Sequence, residues 1–353
     1  MKKIFYIASL LIVVILSGCT INFGSKSSSK GPDGGLFKST TSGGTWQQKS
    51  SIATTTGKAS SIADSGSTVL VMDPSDTRAL YFASSEGGVY YTYDGAESWR
   101  EMPALRGTLV NAFAVDPSSK CVLYATTENK LLKSSDCGRS WAQTYFDNDL
   151  KVRVNALAID HYDSSIVYIG TSRGEIIQSL DSGKSWQTMY RFEDNLRKIL
   201  IAPADSRMIF VSSDSEGLFR SSDKGVTWVS LDDKLKEFQD NRKYRDLFLS
   251  ASQPGFVMMA TKYGLLKSVN YGDDWTALKL ITPESEATIN SVITHPQNPQ
   301  EIYYVTNTTF YGSVDGGENW ATKKLPSSRP AQQLLSDPKE PKNLYMTLMQ
   351  VKK

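Results

Sequence analysis

The chain has 353 residues, 40% of them hydrophobic and 10% aromatic, with 39 basic against 37 acidic side chains and a formal net charge of +2. That balance gives no global electrostatic case for nucleic acid. The length and apolar content suffice for a large core.

Met1-Lys2-Lys3 opens the chain, followed by an apolar run from Ile4 to Leu16. The run is short for a permanent span and has the flanks of an export signal. Leu16-Ser17-Gly18-Cys19 resembles a bacterial lipobox, which implies cleavage before Cys19 and lipidation of that residue. The other reading is an ordinary signal peptide that contains a cysteine. Several acyl chains on Cys19 would give a stable anchor, since each buried methylene contributes about 0.8 kcal/mol. Thr20 follows it, not the Asp associated with inner-membrane retention in Gram-negative bacteria. Losing Lys2 and Lys3 with the signal leaves equal numbers of basic and acidic residues. Residues 20–35 are rich in Gly and Ser and read as a flexible tether. The expected organisation is a signal over 1–18, a lipidated Cys and tether over 19–35, and one folded domain over 36–353.

Within that domain two elements alternate. One is an apolar strand ending in a turn, as in Ser67–Pro74, Val110–Pro117, Val154–His161, Leu196–Pro203, Tyr244–Ala251, Ile289–Pro296 and Ala331–Pro338. Each is followed by a β-rich partner such as Ile166-Val-Tyr-Ile, and Asp-Pro marks the turn in several copies. The other element is an eleven-residue hairpin, clearest in 131–141, 176–186 and 218–228: two apolar residues, then S-x-D-x-G-x-[ST]-W. Looser copies end at Trp46, Trp99, Trp275 and Trp320, which completes the seven tryptophans; their spacings run 53, 42, 45, 42, 47 and 45. A period of about 40–50 residues with strand-like segments points to a propeller or related array.

The motif has a mechanical reading. The Asp carboxylate accepts N–H bonds of the turn, the Gly takes positive φ, and the Trp packs against a neighbouring sheet. Full burial of each Trp would contribute about 4–6 kcal/mol gross. Thr41 and Asn270 replace the Asp, Ala96 the Gly, and Asp274 and Asn319 the Ser/Thr, so those turns are expected to be looser.

S-x-D-x-G-x-[ST]-W is the Asp-box, or bacterial neuraminidase repeat, and residues 36–349 resemble that propeller superfamily. The superfamily includes sialidases, xyloglucanase-type hydrolases, sortilin-type ectodomains and photosystem II assembly factors. The chain starts with an Asp-box hairpin (36–50) and ends with a first hairpin (331–349). The expectation is an all-β, seven-bladed propeller of four-stranded antiparallel blades, closed by pairing the N-terminal and C-terminal hairpins in one blade.

In such a ring the Asp-boxes and Asp-Pro turns share one face. The second residues of the inner strands stand at the opposite mouth: Thr68, Asn111, Asn155, Arg197, Arg245, Asn290 and Gln332. Nearby lie Arg153, Arg191, Lys198, Arg242 and Lys243. They read either as solvated strand starts or as a basic patch that grips an acidic protein segment or anionic sugar through forked contacts. Two long crossovers stand out: 50–66, small and polar and expected to be mobile, and 230–243. In the latter Leu231, Leu235 and Phe238 fall on one helical face.

Cys121 and Cys137 lie opposite each other if the strands around Glu128-Asn129 pair, and an exported protein can oxidise them. His161 and His295 fall in separate turns on the Asp-box face, which disfavours Ser-His and His-rich metal chemistry. No metal or cofactor is expected. A glycosidase needs two acids roughly 5–10 Å apart; Asp147, Asp149, Glu193, Asp194 and Asp246 lie near the mouth. No Phe/Tyr-Arg-Ile-Pro segment of the sialidases occurs, and the two-propeller xyloglucanases are longer. The single propeller on a lipoprotein tether looks most like the photosystem II assembly factors. The resemblance therefore implies an extracytoplasmic, membrane-anchored and monomeric scaffold, non-catalytic, that binds a protein partner or assists membrane-complex assembly. The alternative is a carbohydrate-active or polysaccharide-binding propeller.

Overall fold

A computed structural model describes residues 32–54 and 60–351; the expected export signal, Cys19 and most of the expected tether lie outside the described residues. From Pro32 onward the chain is one compact unit. Pro32–Gly35 belong to it: the Gly34 N–H donates to the Ala63 carbonyl at 2.8 Å and the Gly35 N–H to Ser65 at 2.9 Å. The tether boundary expected at residue 35 is therefore corrected to an earlier position, because these two crossover carbonyls hold the backbone.

Seven four-stranded antiparallel sheets form, with the innermost strand first in sequence in every complete blade. Blades 1 to 6 begin with Ser67–Met72, Ala112–Asp116, Val154–Ile159, Leu196–Ala202, Tyr244–Leu249 and Ile289–His295. Blade 7 is composite: Ala331–Ser336 and Leu344–Leu348 supply its inner half, and Leu36–Ser39 and Gln47–Gln48 its outer half. Leu36 pairs with Thr347, Phe37 with Met346 and Ser39 with Leu344. The two ends of the domain thus close the ring.

Second strands such as Leu80–Ser84, Val167–Thr171 and Val257–Thr261 are buried along their whole length. A strand covered on both faces needs a continuous apolar or small run, which these sequences supply. Seven apolar clusters fill the seven junctions between neighbouring blades. At the junction of blades 3 and 4, a Cβ on Gly170 would meet Ala156, Ile199 and Leu196 at 3.1–3.3 Å, so this close approach uses the missing side chain.

The Asp-box turns are closed by their own side chains. In blade 3 the Gly183 N–H donates to Ser179 Oγ at 2.8 Å, Ser179 Oγ donates to Asp181 Oδ1 at 2.8 Å, and Ser185 donates its N–H (2.8 Å) and hydroxyl (2.6 Å) to Asp181. Gly183 has φ 89°, and Ser182 before it also takes a positive φ of 60°. The substituted copies are not looser. Asn270 and Asp274 exchange roles: the Asn270 amide donates to the Asp274 carboxylate at 2.8 Å, and the Asp274 N–H donates to Asn270 Oδ1 at 3.0 Å. The Thr45 N–H likewise donates to Thr41 Oγ1 at 2.8 Å.

Tryptophan burial is less uniform than the repeat suggests. Trp99 and Trp275 are buried, while the other five keep part of their rings exposed. Trp186 reaches the preceding blade, donating to the Thr144 carbonyl at 2.8 Å and packing edge-on to Tyr145. Trp141 instead packs on Phe113 of its own blade. The gain per copy is accordingly below the full-burial figure for most boxes.

Two outcomes are expected. Asn270→Asp sets two carboxylates against each other and should cost about 1 kcal/mol in denaturant unfolding, while Asn270→Asp with Asp274→Ser should recover it. The Ser140 hydroxyl and N–H lower the Asp136 carboxyl to about 2, and the Asn319 N–H and amide lower Asp315 to about 2. Depressed carboxyls stabilise fully above the unfolded value of about 4 and lose that contribution as pH falls through the folded value. The denaturant midpoint should therefore drop between pH 4 and 2, and Asp136→Ser should flatten that slope.

Candidate binding mouth of the central channel

The innermost strands surround a channel of about 1050 Å³. Thr68, Asn111, Asn155, Arg197, Arg245, Asn290 and Gln332 all line it. They do not serve one purpose. In blades 1 to 3 the residue at the expected second position, which for Asn111 lies just ahead of the strand Ala112–Asp116, clasps toward the next blade: Thr68 Oγ1 donates to the Val110 carbonyl at 2.7 Å, Asn111 Nδ2 to the Val154 carbonyl at 3.2 Å, and Asn155 Nδ2 to Asn195 Oδ1 at 2.7 Å.

From blade 4 onward the third residue takes over. Lys198 Nζ meets Asp246 Oδ1 at 2.8 Å, Ser291 Oγ donates to Asp246 Oδ2 at 2.7 Å, and the Leu334 N–H donates to Ser291 Oγ at 3.1 Å. Gln333 closes the circuit onto Leu70, accepting its N–H at 2.9 Å and donating to its carbonyl at 3.0 Å. Every blade junction thus carries a polar bond on the channel wall. Burial opposes the charge on Lys198, but Asp246 and the surrounding groups hold its ammonium above the ordinary lysine range. Its side chain keeps 38% exposure and lines the channel.

The shift of clasping from second to third residue releases the second residues of blades 4 to 7. Arg197 turns to Asp214 of its own blade, and Asn290 to Asn307 at 2.9 Å. Arg245 and Gln332 have no side-chain partner among the described residues.

The wider basic patch is corrected. Arg191 ends the outermost strand of blade 3 and pairs with the buried Glu175, away from the channel, because the following crossover is short. Arg242 is drawn onto Asp232 at 2.7 Å by the helical turn Asp232–Leu235. Lys243 pairs with Asp240 at 2.8 Å. Arg153 stands on the crossover, exposed and without a side-chain partner among the described residues, but outside the channel lining.

Four of the five candidate acids are also engaged. Asp246 accepts from Lys198, Ser291 and the Val292 N–H. Asp147 is held by Arg173 at 2.8 Å, which also bridges to Glu175 at 2.8 Å. Asp149 caps its own loop through the Lys151 N–H at 2.9 Å. Burial pushes Asp194 up, but the N–H groups of Ser215, Asn195 and Glu216 hold it below the usual range. Glu193 is exposed. His161 lies in a turn of blade 3 and His295 ends the inner strand of blade 6, so the two stay apart; His161 bonds the Pro203 carbonyl at 3.0 Å.

The crossover 230–243 is a cap on the core rather than a free loop. Leu231, Leu235 and Phe238 pack into the apolar junction of blades 4 and 5. The crossover 50–66 is anchored at both flanks: Ser51–Ile52 pairs with Ser60–Ser61, and the Ala53 N–H bonds the Trp99 carbonyl at 2.8 Å. Its tip, 55–59, lies outside the described residues. Cys121 and Cys137 form a disulfide that joins the second strand of blade 2 to its Asp-box turn, with Cα atoms 3.9 Å apart, and neither residue belongs to the channel lining. The switch between second and third residue was the signal missed in the sequence: the polar third residues Lys198, Asp246, Ser291 and Gln333 all fall in consecutive blades.

Asp246→Ala should cost about 2–3 kcal/mol, since it strands Lys198 and Ser291 without a partner. Lys198→Met with Asp246→Leu should cost less, because neither charge remains to be desolvated. Unchanged denaturant midpoints for Asp246→Ala would show the clasp to be dispensable.

The family model Sortilin-Vps10 (sortilin, neurotensin receptor 3) matches residues 129–256, less than half of the chain. No curated protein matches the sequence significantly. Among solved structures, the GH74 enzyme of Niastella koreensis aligns with a TM-score of 0.63 and 19% identity, over 80% of this chain and 51% of that one. The GH74 xyloglucanase of Xanthomonas campestris gives 0.63 and 18% over the same shares. YCF48 bound to D1 peptide gives 0.61 and 15%, over 82% of this chain and 94% of that one. The chain spans about half the length of the GH74 structures and nearly the whole of YCF48. It is a single seven-bladed propeller that resembles the propellers of sortilin, YCF48 and the GH74 enzymes.

Proposed function

We propose that the protein is an extracytoplasmic lipoprotein, anchored through Cys19, whose propeller binds a protein partner at the channel mouth and so assists assembly of a membrane complex. One observation carries this reading. The acids that line the mouth end of the channel, Asp214 and Asp246, are each tied to a cation of the wall, while Arg245 and Gln332 have no side-chain partner among the described residues. A free guanidinium and amide on a rigid rim suit recognition of a carboxylate and a backbone. Tied acids do not suit the two free carboxyls of a glycosidase. YCF48, similar over nearly its whole length, is known with a bound D1 peptide. A second reading, polysaccharide binding, rests on the amides Asn290 and Gln332 at the rim and on the GH74 likeness.

The test is capture of the full-length protein from its own membranes in mild detergent. Arg245→Glu should lower recovery of a discrete partner by about tenfold, as expected for reversing a contact charge. Lys184→Glu on the Asp-box face should leave it unchanged. Equal losses in both variants would sink the mouth assignment. Hydrolysis of xyloglucan that disappears in Asp246→Asn would move the protein to the carbohydrate reading.

A further inference from the structure

The exchange of clasping positions leaves one arc of the channel wall open. In blade 1 Leu70 stands opposite Phe82, and its N–H and carbonyl are both taken by Gln333 of blade 7. The residues in the same register of blades 5, 6 and 7 are also served: Lys198 donates to the Leu247 carbonyl at 2.9 Å, Asp246 accepts the Val292 N–H at 3.1 Å, and Ser291 accepts the Leu334 N–H at 3.1 Å. In blades 2, 3 and 4 that register is held by Phe113, Leu157 and Ile199, opposite Ala125, Ile169 and Val211. The third residue of the preceding blade, which supplies the clasp elsewhere, is here Val69, Ala112 or Ala156, none with a polar side-chain atom. No side chain among the described residues bonds the main chain of Phe113, Leu157 or Ile199, and all three line the channel. Inner-edge N–H and C=O groups left this way need water or a ligand.

The same channel holds one cation with no acid against it. Arg197 is paired with Asp214 and Lys198 with Asp246, while Asp73, at the turn after Met72, accepts the Ser75 N–H and hydroxyl. Arg245 lines the channel and has no side-chain partner among the described residues. It sits at a register shift between Tyr244 and Asp246, and such bulges re-aim a side chain beside functional sites. Two residues separate it from the level of the open main chain, a rise of about 7 Å.

We propose that the channel is itself a binding site for a small hydroxylated monocarboxylic acid, whose carboxylate meets Arg245 and whose hydroxyls bond the open main chain of Phe113, Leu157 and Ile199. One unmatched guanidinium calls for one negative charge. Hydroxyls both donate and accept, as an N–H beside a C=O requires. The open groups lie across three neighbouring strands in one register, whereas an added peptide strand takes successive bonds along a single edge. A compact molecule therefore fits this arc and an extended chain does not. The channel volume of about 1050 Å³ is of the size that holds small ligands. The site goes beyond the protein-partner reading and shares only Arg245 with it.

The experiment is calorimetric titration of the purified full-length chain, in nonionic detergent, with gluconate. Sorbitol keeps the hydroxyls without the carboxylate, and hexanoate keeps the carboxylate without the hydroxyls. Gluconate should bind about tenfold more tightly than either, as expected for a charged hydrogen bond or several neutral ones. Arg245→Met should lower gluconate affinity about tenfold. Val69→Gln installs beside Phe113 the clasp that Gln333 makes on Leu70, and should lower gluconate affinity about fivefold with the denaturant midpoint unchanged. Where Val69→Gln lowers the midpoint, Ala112→Gln, which addresses Leu157 in the same way, takes its place. Hexanoate binding as tightly as gluconate overturns the main-chain contacts. Gluconate affinity that survives Arg245→Met overturns the carboxylate contact, and gluconate that does not bind at millimolar concentration overturns the site. None of these results bears on partner capture, so the protein-partner reading stands or falls separately.

Discussion

Ring closure is the constraint on which the rest of the molecule depends. Leu36–Ser39 must find Leu344–Leu348 across almost the whole domain, and only then does blade 7 exist. Without that pairing blades 6 and 1 would each expose an apolar face and the inner half of blade 7 would carry an open edge. Phe37 and Leu36 enter two different junctions, the first with blade 6 and the second with blade 1. A short strand thus completes two apolar interfaces at once. The cost is the loop-closure entropy of a long chain, which grows only slowly with length.

The closed ring explains why so much of the channel polarity is structural. Seven strand starts meet around one axis, and each needs a partner for the polar group it turns inward. The chain meets this need with neutral clasps in blades 1 to 3 and with the Lys198–Asp246–Ser291 relay in blades 4 to 6. Groups that look available in the sequence are therefore already engaged, and the few that are not gain meaning. The mouth is divided: one side is committed to holding the ring, and the other carries Arg245 and Gln332 on a rigid frame.

The repeat also shows how substitution is absorbed. At Asn270 and Asp274 donor and acceptor change places, and the turn keeps its hydrogen bonds. At Thr41 a hydroxyl does the work of the carboxylate. The turn requires a set of satisfied N–H groups, and several side-chain pairs can supply it. Reading the motif as a fixed string of letters underestimates that tolerance, which is why looseness was expected where none occurs.

The sequence by itself determined the blade count, the order of strands and the composite blade, because each is written in local patterns: seven tryptophans at a fixed period, apolar strands between turn signals, and an Asp-box hairpin at one end matched by a first hairpin at the other. It also placed seven polar residues on the channel wall, since position along a strand follows from counting residues. What each of those residues does was decided only by tertiary structure. Arg197 and Arg245 occupy the same position in neighbouring blades, yet one finds Asp214 and the other has no side-chain partner among the described residues. Arg191 and Arg242 read as mouth residues and are drawn to carboxylates elsewhere. Partners lie tens of residues apart, and whether a charge is free depends on which side chain the ring brings within about 3 Å of it, a distance that no local pattern encodes.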